Sequence, residues 1–423
     1  MKEKKLNILL LNKTLFNPIF PARPAIIEIY GKDLPSFGHK VTWICPGKIK
    51  KIIKKKIYDV DLYIIPLRSH KKSVIIKIFN LISMSIKQYK LIKKLNQNSS
   101  FDIIQARNSV FNILVSLIIS KTKKIPFLYQ ITFINRDNNF QSEDRNIINL
   151  LLEKLTNIFH YKLIKQADFI FPISLLMKRY LVVNKFLDEQ KIYPLPMGVN
   201  HKSFFPSHNI EDLKKKYNLD NNKVFIYIGT MVKSRKLDLI IRAFHYVKKE
   251  INNTKLLMIG DGRGKDELKE LSLVLNLDKD VIFTGQVPYS EIPKYISLAD
   301  IGLCPIAPNF IYKMSSPTKM LEYMACEKPV IGNREILEIA SVISKSGGGI
   351  LVDFDEKSFY LGMIKLARDA ELIKKMGSYG RDWVIKNRSY EMMAKKIEEI
   401  YFQLIHRFYS NHSKLKQKSE SVH

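Results

Sequence analysis

The sequence predicts an α/β protein of two doubly wound halves, each a parallel β-sheet covered by helices on both faces. Three observations predict it. Short apolar runs recur along the chain, each followed by a loop and a stretch of helical periodicity. The runs are apolar at nearly every position, as strands buried on both faces require, and their alternation with helices belongs to parallel sheets. They fall into two series, and 423 residues suit two domains better than one.

In order, the first series is NILLL (7–11), KVTWI (40–44), DLYII (61–65), DIIQA (102–106), PFLYQI (126–131) and DFIFPI (168–173). The opening, MKEKKLNILLLNKTLF, is basic and then apolar, but it lacks a small-residue cleavage site and its apolar part is short, so it reads as the first buried strand. The second series is VFIYIG (224–229), LLMIG (256–260), VIFTG (281–285), IGLCPI (301–306), PVIG (329–332) and ILVDF (350–354). Between them PMGVNHKSFFPSHN (196–209) carries the Pro, Gly, Asn and Ser of a linker. This gives a first domain over 1–200 and a second over 201–389. Residues 390–408 form a long amphipathic helix whose Met393, Ile397, Ile400, Tyr401 and Leu404 need a partner surface. The polar tail, 409–423, reads as disordered. Within PTKMLEYMACEKPVI (317–331), Pro317 and Thr318 start a helix that Thr318 is suited to cap, and Leu321, Met324 and Ala325 form its buried face. Glu322 stands beside them, and a carboxylate there asks for a partner.

The formal charge of +30 points to an anionic partner, or else to a lysine-rich composition spread along the chain. Two clusters are denser, KIKKIIKKK (48–56) and HKKSVIIKIFNLISMSIKQYKLIKKL (70–95). The second is amphipathic, with Ile75, Phe79, Ile82, Ile86 and Tyr89 on one face, as a helix lying on an anionic bilayer would be. An ordinary domain helix with a solvated lysine face has the same pattern. No apolar run is long enough to span a membrane. Cys45, Cys304 and Cys326 are odd in number and dispersed, so neither a disulfide framework nor a zinc site is expected, and a reducing cytoplasm fits. HExxH, GxSxG and CxxC are absent. IGDGRGK (259–265) follows a strand but has neither P-loop nor GxGxxG spacing, and DVD (59–61) lacks companion acids; both read as turns.

YIGTMVKSRKLDLIIRAF (227–244) is more informative. A strand ends at Gly229, a loop carries Lys233, Arg235 and Lys236, and a helix follows. Cations and backbone N–H groups then lie at the C-terminal end of a parallel strand, where such sheets bind ligands and where a diphosphate can be neutralised without metal. With KLNILLLN and LPSFGHKVTWI, ADFIFPIS (167–174), PLPMGVNHKSFFP (194–206), LLMIGDG (256–262), VIFTGQVPYSEIPKYISLADIGLCP (281–305) and SPTKMLEYMACEKPVI, it forms an ordered series over nearly the whole chain. The series resembles the family-4 retaining glycosyltransferases of the GT-B fold, in the form typical of a bacterial branch that builds surface polysaccharides.

The resemblance implies a nucleotide-sugar donor bound in a cleft between two Rossmann-like domains, with the last helix packed back onto the first domain. It implies that Glu322 accepts from the ribose hydroxyls, that Arg235 and Lys236 meet the diphosphate, and that Gln286 and Val287 meet the base. Gly229, Thr230, Ser315, Ser316, Pro317, Thr318 and Lys319 complete the donor side. Departures from the family fall at Met314, where a second glutamate is usual, at Glu327, where glycine is, and at Thr132, where histidine is. PIFPARPAI (18–26) replaces a glycine-rich loop, leaving Arg23 as a phosphate or acceptor contact and Thr132 on the acceptor side. The expected protein is a cytoplasmic, peripherally membrane-bound transferase using a nucleotide-sugar donor and a glycan or lipid-linked acceptor, with no metal, cofactor or nucleic acid. The rivals are a nucleotide-sugar epimerase of the same fold and a non-catalytic glycan- or nucleic-acid-binding protein.

Overall fold

The computed structural model describes residues 4–16, 24–67, 74–133 and 147–420. They form two compact units, one of residues 1–196 with 390–423 and one of 197–389. The division falls at Pro196/Met197, within the linker and four residues before the expected boundary at 200.

The first unit holds seven strands: β1 (Asn7–Leu11), β2 (Lys40–Gly47), β3 (Ile53–Ile57), β4 (Val60–Pro66), β5 (Ile103–Arg107), β6 (Phe127–Ile131) and β7 (Phe169–Pro172), in the order β3-β4-β2-β1-β5-β6-β7. β1 lies between β2 and β5, with Leu9 opposite Thr42 on one side and Ile104 on the other, and all five of its residues are buried. That central position explains its unbroken apolar sequence. The sheet is parallel except at one edge. β3 runs antiparallel to β4 through a tight turn in which Tyr58 has a φ of 53°. The sequence reading took these residues only as a basic cluster. Their lysines suit an exposed edge strand, where they discourage pairing with another chain. Asp61 of the DVD turn pairs with Lys54 at 3.1 Å.

The helix Tyr390–Glu420 belongs to this first unit. Met393, Ile397, Ile400, Tyr401 and Leu404 are buried against the helical segment Ile27–Asp33 and its surroundings. Tyr401 Oη donates to Gln105 Oε1 on β5. Buried His39 accepts the Leu6 N–H at Nδ1 (3.1 Å), which leaves its Nε2–H to donate to Glu398 at 2.7 Å. Helix also replaces the disorder expected from 409, continuing to Glu420. No Pro or Gly interrupts it, and an anchored helix propagates at little cost through Lys, Gln and Glu.

The basic amphipathic segment is the helix Val74–Asn98. Phe79 (70% accessible), Ile82 and Ile86 of its expected apolar face are exposed, with Ile76 and Ile78 beside them. Tyr89 is half-buried, and the side chain of Ile75 lies outside those described. The helix packs instead through Met84, Gln88 and Ile92. Among the described residues no helix is long and apolar enough to cross a membrane.

The second unit is a parallel six-stranded sheet of β8 (Lys223–Ile228), β9 (Thr254–Ile259), β10 (Val281–Gly285), β11 (Ile301–Cys304), β12 (Val330–Asn333) and β13 (Gly349–Val352), in the order β10-β9-β8-β11-β12-β13. Val224 and Ile226 enter the core on one face, Phe225 and Tyr227 the core on the other. Strand order reverses between β8 and β11, the switch point outside whose carboxyl ends such sheets hold ligands.

Candidate functional site

The site is built at that switch point in the second unit. After β8 the chain makes a short 3₁₀ turn, Lys233–Arg235, against the loop that follows β9. The two loops are joined backbone to backbone: Met231 N–H donates to Asp261 O and Gly264 N–H to Met231 O, both at 2.9 Å. A Cβ on Gly262 would lie 2.2 Å from Met231 O and one on Gly260 2.1 Å from Gly229 O, so these glycines of IGDGRGK allow the two loops to approach.

Arg235 and Lys236 part company here. Arg235 is half-buried, with its guanidinium 5.8 Å from the Tyr312 ring centre and its Nε shielded from solvent and without an acceptor among the described residues. Ser234 and Tyr312 hydroxyls meet at 3.3 Å. Lys236 is exposed and holds a left-handed φ of 50°, a conformation better suited to glycine.

After β11 the chain is fixed by the buried Asn333 amide at the end of β12. It accepts from Ile306 N–H (2.9 Å) and donates to Ile306 O (3.1 Å). Past Met314, which is buried, Ser315 closes its hydroxyl on Tyr312 O. The Ser316 hydroxyl accepts from Met197 N–H at 2.9 Å and donates to Glu338, which is paired with Arg388 at 2.7 Å. Ser316 therefore secures the loop to the ends of this unit, and its hydroxyl is occupied. Pro317 takes the cap position of the helix Thr318–Ala325, with no side-chain cap, so the cap expected of Thr318 is not made. Thr318 is already the first helical residue, and a proline before it leaves the first-turn N–H groups without a side-chain acceptor.

A lysine and a glutamate on this helix are buried, Lys319 at 8% and Glu322 at 6% accessibility. Glu322 Oε1 accepts from Tyr289 Oη at 2.9 Å. Burial pushes its carboxyl up to about 7, against the opposing effects of the Tyr289 hydrogen bond and the Lys319 charge. Lys319 Nζ lies 3.8 Å from the Tyr227 ring centre. Gly229 makes room for it, since a Cβ there would lie 2.9 Å from the ammonium. Thr230 is exposed beyond it. Gln286 is exposed and Val287 half-buried in the turn that leads to Tyr289. The structure thus gathers Gly229, Lys319, Glu322 and Arg235 around the ends of β8 and β11. Sequence reasoning missed Tyr289, Tyr312 and Tyr227; the first lies two residues past the Gln286–Val287 turn it had singled out. The left-handed φ of 59° at Glu327 shows why glycine suits the position after this helix.

In the first unit, Arg23 lies outside the described residues. Thr132 follows β6 and pairs with Asn108, which follows β5: Thr132 N–H donates to Asn108 Oδ1 (2.8 Å) and Asn108 Nδ2 to Thr132 Oγ1 (2.6 Å). A histidine is present nearby on another element. His160 Nε2 lies 2.9 Å from Tyr129 Oη, and burial, helped by the Lys13 charge, lowers its pKa to about 4, so it is neutral near pH 7. Among the described residues no group of three or more His, Cys, Asp or Glu is placed to hold a metal ion.

Residues 209–383 match the family described as glycosyl transferases group 1. The chain is 26% identical over 255 residues to N-acetyl-alpha-D-glucosaminyl L-malate synthase of Bacillus anthracis, covering 59% of this chain and 63%, less than two thirds, of that relative. It is 22% identical over 407 residues to alpha-monoglucosyldiacylglycerol synthase of Acholeplasma laidlawii, covering 92% of this chain and 94% of that one. The crystal structure of Anabaena HepE in complex with UDP matches with a TM-score of 0.70 at 13% identity, over 94% of this chain and 100% of that chain. This likeness shows the fold, which is GT-B.

Proposed function

We propose that the chain, whose residues 209–383 match the glycosyl transferases group 1 family and whose fold is GT-B, is a retaining glycosyltransferase of family 4. It would move a sugar from a nucleotide-diphosphate sugar to a glycan or lipid-linked acceptor in cell-surface polysaccharide synthesis. The observation that carries this reading is the buried Glu322 carboxylate, on the same short helix as buried Lys319 and an uncapped N-terminus, at the sheet's switch point. An ionised carboxylate can accept from both hydroxyls of a ribose, while cations and first-turn N–H groups suit a diphosphate. In the transfer, the bond from the anomeric carbon to the diphosphate oxygen breaks. The acceptor oxygen bonds to that carbon on the same face, and its proton passes to the departing diphosphate. Arg235 and the helix N-terminus stabilise the charge that develops there, a role that needs no metal; Lys236, expected to share it, is exposed.

The Acholeplasma relative's name, a monoglucosyldiacylglycerol synthase, supports a lipid acceptor. A peripheral position on an anionic membrane is supported by the exposed Phe79, Ile82 and Ile86 on a helix that also exposes Lys87, Lys90, Lys93 and Lys94. Vesicle co-sedimentation should weaken with salt and with Phe79→Asp; equal binding to neutral and anionic vesicles would reject the electrostatic part. For the enzyme itself, the full chain is incubated with a panel of nucleotide sugars and an extract of lipid-linked glycans, and nucleotide release is followed. Release from one donor, dependent on the extract, supports the reading. No binding or turnover of any nucleotide sugar defeats it.

A further inference from the structure

We infer that Lys319 is the second cation of the diphosphate site, an ammonium kept desolvated and without a counter-ion until the ligand supplies one. The inference rests on the donor reading above and assigns to Lys319 the role that sequence position gave to Lys236.

Lys319 is more than nine-tenths buried, and its Nζ has no hydrogen-bond acceptor among the described residues. An isolated buried ammonium is among the most costly groups a fold can hold, and native proteins leave very few such groups unsatisfied. The face of Tyr227 recovers only part of that cost. Glu322, one helical turn away, does not meet it, since Lys319 has no acceptor and Glu322 takes its hydrogen bond from Tyr289.

The surroundings say what the charge awaits. Gly229 follows β8 at a φ of +150°, with the ammonium where a side chain would lie. Lys319 lies in the first turn of a helix without a side-chain cap, so the positive end of the helix adds to its charge. Arg235 supplies a second shielded donor without an acceptor, at Nε. Both cations act on the Cys304 thiol at the end of β11, which places them around one strand end. Lys236, by contrast, is exposed to water. Two shielded cations and first-turn backbone N–H groups without a side-chain cap, at a switch point, match a diphosphate, whose oxygens accept from several donors at once.

The test compares wild type with Lys319→Met and Lys319→Gln, by calorimetric titration and thermal melting of the full chain. The probes are inorganic diphosphate, UDP and GDP, with uridine and guanosine as uncharged counterparts. Lys319→Met keeps the length of the stem and removes an uncompensated charge, so its ligand-free Tm should equal or exceed that of wild type. Affinity for diphosphate and for the preferred nucleoside diphosphate should fall about 10- to 100-fold, with nucleoside affinity little changed. Lys319→Gln should show the same loss. A lower Tm with unchanged nucleoside diphosphate affinity makes Lys319 a structural partner of Tyr227 and overturns the inference, while the donor reading stands. Wild-type protein that binds neither diphosphate nor any nucleoside diphosphate overturns both.

Discussion

Glu322 gives the most direct quantitative test, because its burial makes it titrate where enzymes work. Its carboxyl rises from an ordinary 4.5 to about 7, which corresponds to ~3 kcal/mol at roughly 1.4 kcal/mol per unit. The sign follows from linkage. Below about pH 4.5 the group is protonated folded and unfolded, and costs nothing. As pH rises through about 7 the unfolded chain has released this proton while the fold resists doing so, and stability is lost. Glu322→Gln keeps the shape and an acceptor for Tyr289 but cannot ionise. The variant should therefore melt close to wild type at pH 5 and above it at pH 8, by roughly 6–12 °C for a unit of this size. Donor binding should move the other way. Ribose hydroxyls bond best to the ionised carboxylate, so wild-type affinity for the nucleotide sugar should climb with pH up to about 7, and the profile of Glu322→Gln should be flat. A nucleotide sugar's diphosphate is a diester with no ionisation near neutrality, so the profile reports the protein. Glu322→Ala should lose about 10- to 100-fold in donor affinity. Superimposable pH profiles for wild type and Glu322→Gln would refute the reasoning. So would a Glu322→Ala protein that melts far lower yet binds donor normally.

Four further substitutions test the rest of the second unit. Arg235→Ala should lower turnover more than donor affinity, and by more than Lys236→Ala does, because Arg235 is turned inward and Lys236 is not; steady-state kinetics on both variants decide it. Gly262→Ala should destabilise the second unit by ~2 kcal/mol or more, since the new Cβ would meet Met231 O at 2.2 Å, and a melting curve within a degree of wild type would count against that packing. Glu327→Gly should raise stability by ~1 kcal/mol in the same assay, by removing a side chain from a left-handed backbone at φ 59°.

Much of the fold was legible because burial on both faces leaves a simple mark. All twelve apolar runs read from the sequence lie in strands, β1, β2 and β4 to β13. β3 was not legible, because an edge strand with one exposed flank reads as IKKKI, and its lysines look like a charge cluster. The direction of the helix Val74–Asn98 was hidden too. Periodicity finds an apolar stripe but not which stripe the neighbours cover, and here Met84 and Ile92 turn inward while Phe79 does not. At the site, Glu322 and Arg235 could be named from their motifs. Their environment could not, since it comes from groups far apart in sequence. Tyr289 reaches Glu322 from the loop after β10, and Gly229 makes space for Lys319 from the end of β8.

Lys319 and Glu322 illustrate why the unliganded site has this composition. A buried cation beside a buried acid would ordinarily form an ion pair, and each would then lower the other's cost. Here the pair is not closed: Lys319 has no acceptor among the described residues, and Glu322 keeps a raised pKa despite the cation nearby. Both groups are thus held in a state that a ligand can improve, one by an anion and the other by hydroxyl donors. The two improvements are not independent. An anion at Lys319 cancels part of the positive potential that helps Glu322 ionise, so a bare diphosphate should hold that carboxyl in its neutral form. Only a ligand that brings hydroxyl donors along with its phosphates compensates both changes. If the proposed donor reading holds, the site should distinguish a nucleoside diphosphate from inorganic diphosphate by more than the added contacts of the base, because the ribose would restore the charge on Glu322 that the phosphates oppose.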